Sequence, residues 1–590
     1  MAEYVTGYKT NLRTTITANF KLAQELDMIT KGLKFTGLFS FKNYSSSSTE
    51  RSASYNHYYM SSYDPSSMEY KITRIGDEQS TALTNDGSRN GDRKMYFQAI
   101  LDYNRIFKEV HDLNIMFLYN QEQYDINGPT TLFSSLPQRK QGVAGRVSYS
   151  YDGRYYIEGN FGYNGSENFA KGYRWGFFPS IALGYNISEE SFFEPLRKVI
   201  TSMKLRGSWG LVGNDQIGGE RFIYMPTINL SGKGFTTGID QNYGLSGPVY
   251  TRYENNSITW EVGEKINLGI DLQLLNSLNI VVDIFRETRR DIFQKKGTIP
   301  TYLGTGNTDV FGNLAEMKNQ GLDLSIDYNK AFSKDFYMNF KGTFTYAHNE
   351  ITKYDEAPKY AFQSKVGQSA NVSQGYLSNG LFLDEAEIDR YNQQMGSTLG
   401  AGDIKYLNVS NMHGYGDDIV DVDDWTWIGN PTVPEIVYGF GPSFKYKNWD
   451  FSFFFQGVAK TSLFMSGFHP FGDNSLRNVL QFVANDRWSP TNQNVDAKYP
   501  RLTRKTSLNN TNPGNSGRTS DYWMRDGSFL KLKNMELGYT FKRMRFYISG
   551  SNLLTFSKFD LWDPEQGGGS GLKYPTQRVF NVGFQMTFNN

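Results

Sequence analysis

The chain's chemistry-bearing residues gather in one stretch, Asn408 to Asp424, where Asp417, Asp418, Asp421, Asp423 and Asp424 follow Asn408, Ser410 and Asn411. Calcium takes several oxygen ligands at short sequence spacing, so these carboxylates are candidate ligands of a structural calcium. The alternative is a solvated acidic loop, the ordinary state of a charge run. Beside them lie Tyr415, Trp425 and Trp427, candidate platforms for stacking on sugar rings. Packing against neighbouring loops competes with that reading, because large aromatic side chains dominate packing energetics. Tyr55, Tyr58, Tyr59 and Tyr63 carry the same two readings and a third, contact with a partner protein.

Other chemistries find no footing. His57, His111, His348, His413 and His469 are scattered without ligand spacing, and the chain has no cysteine, so thiolate metal sites, disulfides and a cysteine nucleophile are excluded. The glycine-rich run 567–571 follows no strand leading into a helix, which leaves a phosphate-cradling loop without its context. No Ser/His/Asp or paired-carboxylate arrangement has support. Enzymatic activity and a resident cofactor other than the possible calcium are not expected.

The elements that must position these residues are strands. Phe580, Val582, Phe584, Met586 and Phe588 form one apolar face of the terminal segment Thr576 to Phe588, and Asn581, Gly583, Gln585 and Thr587 form the other. A period of two with an aromatic face against a polar one suits a strand between lipid and a wet lumen, and also an edge strand of a soluble sandwich. The same alternation begins at Thr14, with Ile16, Ala18, Phe20 and Leu22 opposing Thr15, Thr17, Asn19 and Lys21. It recurs in paired segments: 93–105 with 112–124, 139–151 with 154–166, 174–186 with 201–212, 260–275 with 278–292, 318–331 with 336–350, 435–446 with 449–461, and 527–541 with 545–556. Asp152-Gly153 is a two-residue hairpin signal. Residues 189–199 read as a short amphipathic helix, and 45–92, 213–256 and 351–434 as long loops.

Short and long connections alternate, the signature of a transmembrane barrel with short turns at one end and long loops at the other. About 17 strands are expected, an odd number where single-chain bacterial barrels carry even ones. Mean hydropathy is −0.54, and no apolar run is long enough for a membrane helix. Barrel strands with polar inward residues are compatible with that value, and the aromatic fraction of 16% favours an interfacial wall. Net charge is +1, so no bulk attraction to nucleic acid is implied. The start MAEYVTGYKT lacks the basic and apolar regions of a signal peptide. Together with the odd parity, it leads to the expectation that residues 1–590 are a partial C-terminal barrel.

Motifs in consistent order across the chain carry a family resemblance: LAQELDMITKGLKF (22–35), YDGRYYIEGNFGYNGSENFAKGYRWGFFPSIALGYNISEE (151–190), MKLRGSWGLVGN (203–214), TWEVGEKINLGIDLQL (259–274), NLAEMKNQGLDLSID (313–327), GDIKY (402–406), DRWSPTNQN (486–494), YPRL (499–502), DGSFLKLKNMELGYTF (526–541), SGSNLLTFSKFDLWDPE (549–565) and YPTQRVFNVGFQMTF (574–588). The sequence resembles the SusC/RagA-type TonB-dependent outer-membrane transporters. The resemblance implies an all-β, up-and-down antiparallel barrel of 22 strands, of which about 17 are in this chain. It further implies a plug domain and first strands that are absent from it. Implied too are import of oligosaccharides or oligopeptides, a SusD-like surface lipoprotein over the mouth, and energy from TonB through the missing N-terminal part. Where similar proteins carry a DxNxDG loop after GDIKY, this chain has no carboxylate at the first ligand position, Asn408. Asn581, Gly583, Met586 and Phe588 resemble the signal read by the barrel-assembly machinery, though Asn589 and Asn590 follow the usual terminal aromatic. Two rivals remain: a plug-less passive pore or inactive truncated barrel, and a surface glycan-binding β protein.

Overall fold

The computed structural model describes residues 7–79, 82–300, 308–393, 399–415, 418–468, 471, 478–503 and 519–588. Seventeen strands form one sheet. In chain order they are β1 Gly7–Glu25, β2 Leu33–Ser52, β3 Thr84–Phe107, β4 His111–Asn127, β5 Gln138–Tyr151 and β6 Tyr155–Ser166. Then come β7 Trp175–Asn186, β8 Ile200–Asn214, β9 Glu261–Leu274, β10 Leu278–Lys295, β11 Phe311–Ala331 and β12 Phe336–Lys353. The last are β13 Ile436–Tyr446, β14 Trp449–Ala459, β15 Phe529–Phe541, β16 Met544–Ser557 and β17 Val579–Met586. Each pairs antiparallel with its sequence neighbours. Among the described residues β1 and β17 are not paired with each other.

The turns explain the register. Asp152 and Gly153 both adopt positive φ, 53° and 63°, the primed geometry whose twist matches the flanking strands. Tyr446 and Trp449 pair directly across Lys447-Asn448, with Lys447 at φ 52°. The expected helix 189–199 is two 3-10 turns, Ile187–Glu189 and Ser191–Leu196, because Pro195 removes a backbone donor and blocks α-helical continuation. That turn-end connection is longer than the loop-end link 167–174, the one departure from a clean alternation of lengths. The expected long loop 45–92 is shorter than read: β2 runs on to Ser52, β3 starts at Thr84, and a hairpin of His57–Asp64 with Glu69–Ile75 fills the tip. Ser and Thr in those extensions carry no hydrophobic alternation, so pairing alone sustains the strands and no pattern marks them. The loop 213–256 likewise contains a hairpin, Thr227–Thr237 with Tyr243–Arg252.

The wall has two unlike faces. Along one row, Phe117, Gly145, Phe161 and Pro179 share a face, and Ile115, Val147, Gly159 and Ile181 form the next row on it. Val147, Ile181 and Phe161 are exposed on this outer side. Aromatic girdles bound it. At the short-turn end His111 and Tyr151 have centroids 5.2 Å apart, and Tyr155 stacks on Tyr185 at 5.2 Å; at the loop end Phe97 meets Tyr119 at 6.4 Å and Tyr163 stacks on Trp175 at 4.7 Å. Phe97 and Phe107 are ten residues apart on β3. At about 3.4 Å per residue and a tilt of about 40°, they differ in height by about 26 Å, matching the apolar band of about 25 Å in outer-membrane barrels. No helix among the described residues is long and apolar enough to cross a membrane.

The inner face is polar and cross-linked. Arg206 on β8 donates to both oxygens of Asp283 on β10 at 2.6 Å and to Asp271 on β9 at 3.2 Å. Arg545 on β16 bridges Asp450 on β14 and Glu536 on β15, the latter at 2.5 Å. Thr345 donates to Asp323 at 2.7 Å.

Candidate functional site: the barrel mouth

At the loop end the long connections fold together. Segments between β12 and β13, β14 and β15, and β16 and β17 share a dry core of Tyr376, Leu381, Tyr406, Met465, Phe468, Phe471, Trp523 and Phe559. Short ladders stitch them, pairing Ser373–Gly375 with Thr426–Ile428, Ser378–Leu381 with Ile404–Tyr406, and Ser462–Phe464 with Met524–Asp526. Asp403, fully buried, accepts two bonds from Arg501 at 2.6 and 3.1 Å. A second core of Phe169, Ile217, Ile223, Ile258 and Trp260 joins the loops after β6 and β8, with Phe293 of β10 and Phe311 of β11 packed against it. Arg221 ties the loop after β4 to it through the carbonyls of Phe133, Leu136 and Pro137.

Two carboxylates of the acidic run, Asp421 and Asp424, serve its own backbone. Asp424, fully buried, accepts the amides of Ser410 and Asp421 at 2.9 Å each. Asp421 caps the 3-10 turn Val422–Asp424 by accepting from Asp423 N at 2.8 Å. Asp423 pairs with Lys359, and Asp418 is exposed. Asp417 lies outside the described residues, as does His469. Among the described residues no three carboxylates and imidazoles converge as a metal set would. Burial, then the charges of Asp421, Asp424 and Asp423, push the phenol of the neighbouring Tyr376 up to about 12.

The aromatic candidates divide. Trp427 is a strut whose indole N–H donates to the Ser364 carbonyl at 2.8 Å. Tyr415, half exposed, packs over Tyr360 at 4.3 Å, beside the Phe362–His413 stack at 4.6 Å. Trp425 leans on Tyr376 at 5.5 Å and lines a cavity of 330 Å³ with Glu356, Lys359, Gln363, Lys365 and Gln374. The last five carry no local motif; only the folding of 354–376 against 421–428 places them there. Tyr58, Tyr59 and Tyr63 sit exposed on the hairpin after β2.

Two lysines of β15 latch the loop after β16 to the wall. Lys531, almost fully buried, contacts Asp563 and donates to Glu565 at 2.9 Å; Lys533 donates to Glu565 at 2.6 Å. Burial pushes both carboxyls up, and bonds from the lysines (with a backbone bond and Thr576 at Asp563) outweigh it, so each ends below its ordinary value of 3.8 or 4.5. A depressed carboxylate stabilises the fold above its unfolded value and loses that contribution as pH falls through the folded one. Amide hydrogen exchange in 558–578 is therefore expected to be flat from pH 7 to pH 5, after correction for intrinsic rates. Protection should fall below about pH 4.5; K531M should shrink the acid-dependent component, and the K531M, K533M double variant should remove most of it.

On β17, Gly583 has a packing role that spacing did not reveal. A Cβ there would lie 2.1 Å from Cζ of Tyr547, so glycine lets that ring cross the strand. Asn581 and Met586 stand on the strand with it, whereas Phe588 lies two residues past its end and is exposed. Asn589 and Asn590 lie outside the described residues.

Comparison with known proteins agrees with this architecture. Residues 3–553 match the family model described as TonB dependent receptor-like, beta-barrel. The TonB-dependent receptor SusC of Bacteroides thetaiotaomicron is 28% identical over 471 residues, covering 75% of this chain and 43% of its own. A TonB-dependent receptor of Formosa agariphila is 27% identical over 483 residues, covering 76% and 45%. The chain thus spans about half the length of the curated relatives it matches. The RagAB peptide transporter structure superposes with TM-score 0.71 at 19% identity, over 98% of this chain and 62% of that one. The chain belongs to the TonB-dependent receptor-like β-barrel family.

Proposed function

We propose that this chain forms the barrel wall and mouth of an outer-membrane importer that takes up oligomeric nutrients, oligosaccharides or oligopeptides. The observation that carries the reading is the wall itself: an apolar outer face between aromatic girdles, a polar inner face, and long loops gathered into folded bodies at one end. Family membership supports the transport class. In this reading a plug and further strands from an N-terminal part complete the barrel, TonB supplies energy through that part, and a SusD-like lipoprotein closes over the mouth. The exposed tyrosines of the hairpin after β2 are available to that partner, and Tyr415 and Trp425 to the substrate.

The test is uptake. Cells carrying the full-length gene are expected to accumulate a labelled oligosaccharide or oligopeptide, and to lose that ability on deletion of the gene and equally on dissipation of the proton-motive force. Uptake indifferent to the proton-motive force, together with large unblocked conductance in a planar bilayer, would establish a passive pore instead.

A further inference from the structure

One register row on the inner wall is built from small amides and glycines. Gln98, Asn120, Gly142, Asn164 and Gly176 lie directly opposite one another across β3 to β7. Gly142 is the floor: a Cβ there would meet Oδ1 of Asn164 at 2.3 Å and Oδ1 of Asn120 at 3.2 Å, so both amides lean over the glycine from either side. Neither has a hydrogen-bond partner among the described residues. Two side-chain amides side by side at a cavity offer their donors and acceptors to a ligand.

The cavity exists. A niche of 240 Å³ is bounded by Tyr96, Asn120, Glu122, Lys140, Asn164, Asp215 and Trp260. Its charged groups are already matched: Lys94 pairs with Glu122 at 2.7 Å, Lys140 with Asp215 at 2.7 Å, and Ser166 donates to the second oxygen of Asp215 at 2.8 Å. A charged ligand would have to displace one of these ion pairs, whereas the two neutral amides offer donors and acceptors without that cost. The row lies one residue inside the level of Phe97, at the loop-side edge of the apolar band.

Building on the importer reading, we propose that this niche binds a neutral, hydroxyl-bearing sugar ring of the incoming oligomer through the paired amides of Asn120 and Asn164. Each side-chain amide presents a donor and an acceptor side by side, matching the donor-acceptor character of neighbouring ring hydroxyls. Tyr96 supplies an aromatic wall and keeps its own hydroxyl engaged with Gln98 at 2.6 Å. The niche thereby selects neutral units over uronates or sulfated ones.

Calorimetric titration of the full-length protein in detergent tests this, with maltohexaose, cellohexaose and xylohexaose as neutral probes, hexagalacturonate as the charged one, and a neutral hexapeptide. A neutral hexaose is expected to bind more tightly than hexagalacturonate, and an Asn120→Leu, Asn164→Leu double variant to bind it about tenfold more weakly or worse. Gly142→Ala keeps both amides but drives a Cβ between them and is expected to weaken binding similarly. Unchanged heat-modifiability on gels would show that the variants fold. Wild-type binding of a neutral hexaose that the variants leave untouched would overturn the niche and leave the importer reading intact. Binding of hexagalacturonate or the hexapeptide alone would overturn the niche's chemistry with import still standing. Binding of none of the probes would overturn the niche, and uptake in cells would separately decide the importer.

Discussion

Val147→Arg is expected to destabilise the folded wall by about 2–4 kcal/mol, and Ser148→Arg, its neighbour in sequence, by about 1 kcal/mol or less. Val147 is exposed on the outer face of β5, level with Ile115 and midway between the girdles. An arginine there must hold its charge in hydrocarbon, and at mid-depth its side chain reaches neither interface. Ser148 points to the lumen opposite Asn114 and Glu158, where water and a carboxylate can receive a guanidinium. Urea titration of the protein folded in phospholipid vesicles measures both. Equal costs at the two positions would mean that the faces of β5 do not see different solvents.

Trp523→Ala is expected to cost the outer loop body about 3–5 kcal/mol while leaving the strands as they are. Trp523 is fully buried, edge-on to Phe471 at 5.3 Å and to Tyr522 at 5.5 Å, with Tyr499 at 6.4 Å. Its removal opens a cavity where three loops meet, so the ladders 373–375, 378–381 and 462–464 should lose exchange protection together. Among the described residues the indole N–H has no hydrogen-bond partner, so Trp523→Phe gives up volume alone and is expected to cost well under half as much. Protection lost only at 523–526 would show that the loops are independent. Protection lost also in β13 to β16 would show that loop body and wall unfold as one.

The wall was legible because each of its strands obeys one local rule, alternation between two solvents, and because Asp152-Gly153 and Lys447-Asn448 announce their own turns. The extensions of β2 and β3 beyond Ser45 and Asp92 were not, since there both faces meet the same solvent and the sequence has no reason to alternate. The mouth was partly legible. Trp425 lines a cavity whose other residues, Gln363 and Gln374 among them, arrive from a different part of the loop, whereas Tyr415 packs on Tyr360 outside that lining and Trp427, equally aromatic in sequence, holds a backbone carbonyl. Asp424 reads as a candidate ligand and serves as a buried backbone cap, because the pattern of a carboxylate run does not say which way each one turns. Asn120 lies in no motif, and nothing in the motif that holds Asn164 marks it as a ligand; register across three strands brings the two together over Gly142.

The central claim, that one face of this sheet meets lipid and the other water, is tested most directly on β9. The chain has no cysteine, so single cysteines at 265, 266, 267, 268, 270 and 271 can each carry a nitroxide without background. With the protein in a bilayer, Ile266, Leu268 and Ile270 are expected to be accessible to dissolved oxygen and shielded from a water-soluble nickel complex. Lys265, Asn267 and Asp271 should show the reverse. Nickel accessibility without alternation along the strand would contradict the account.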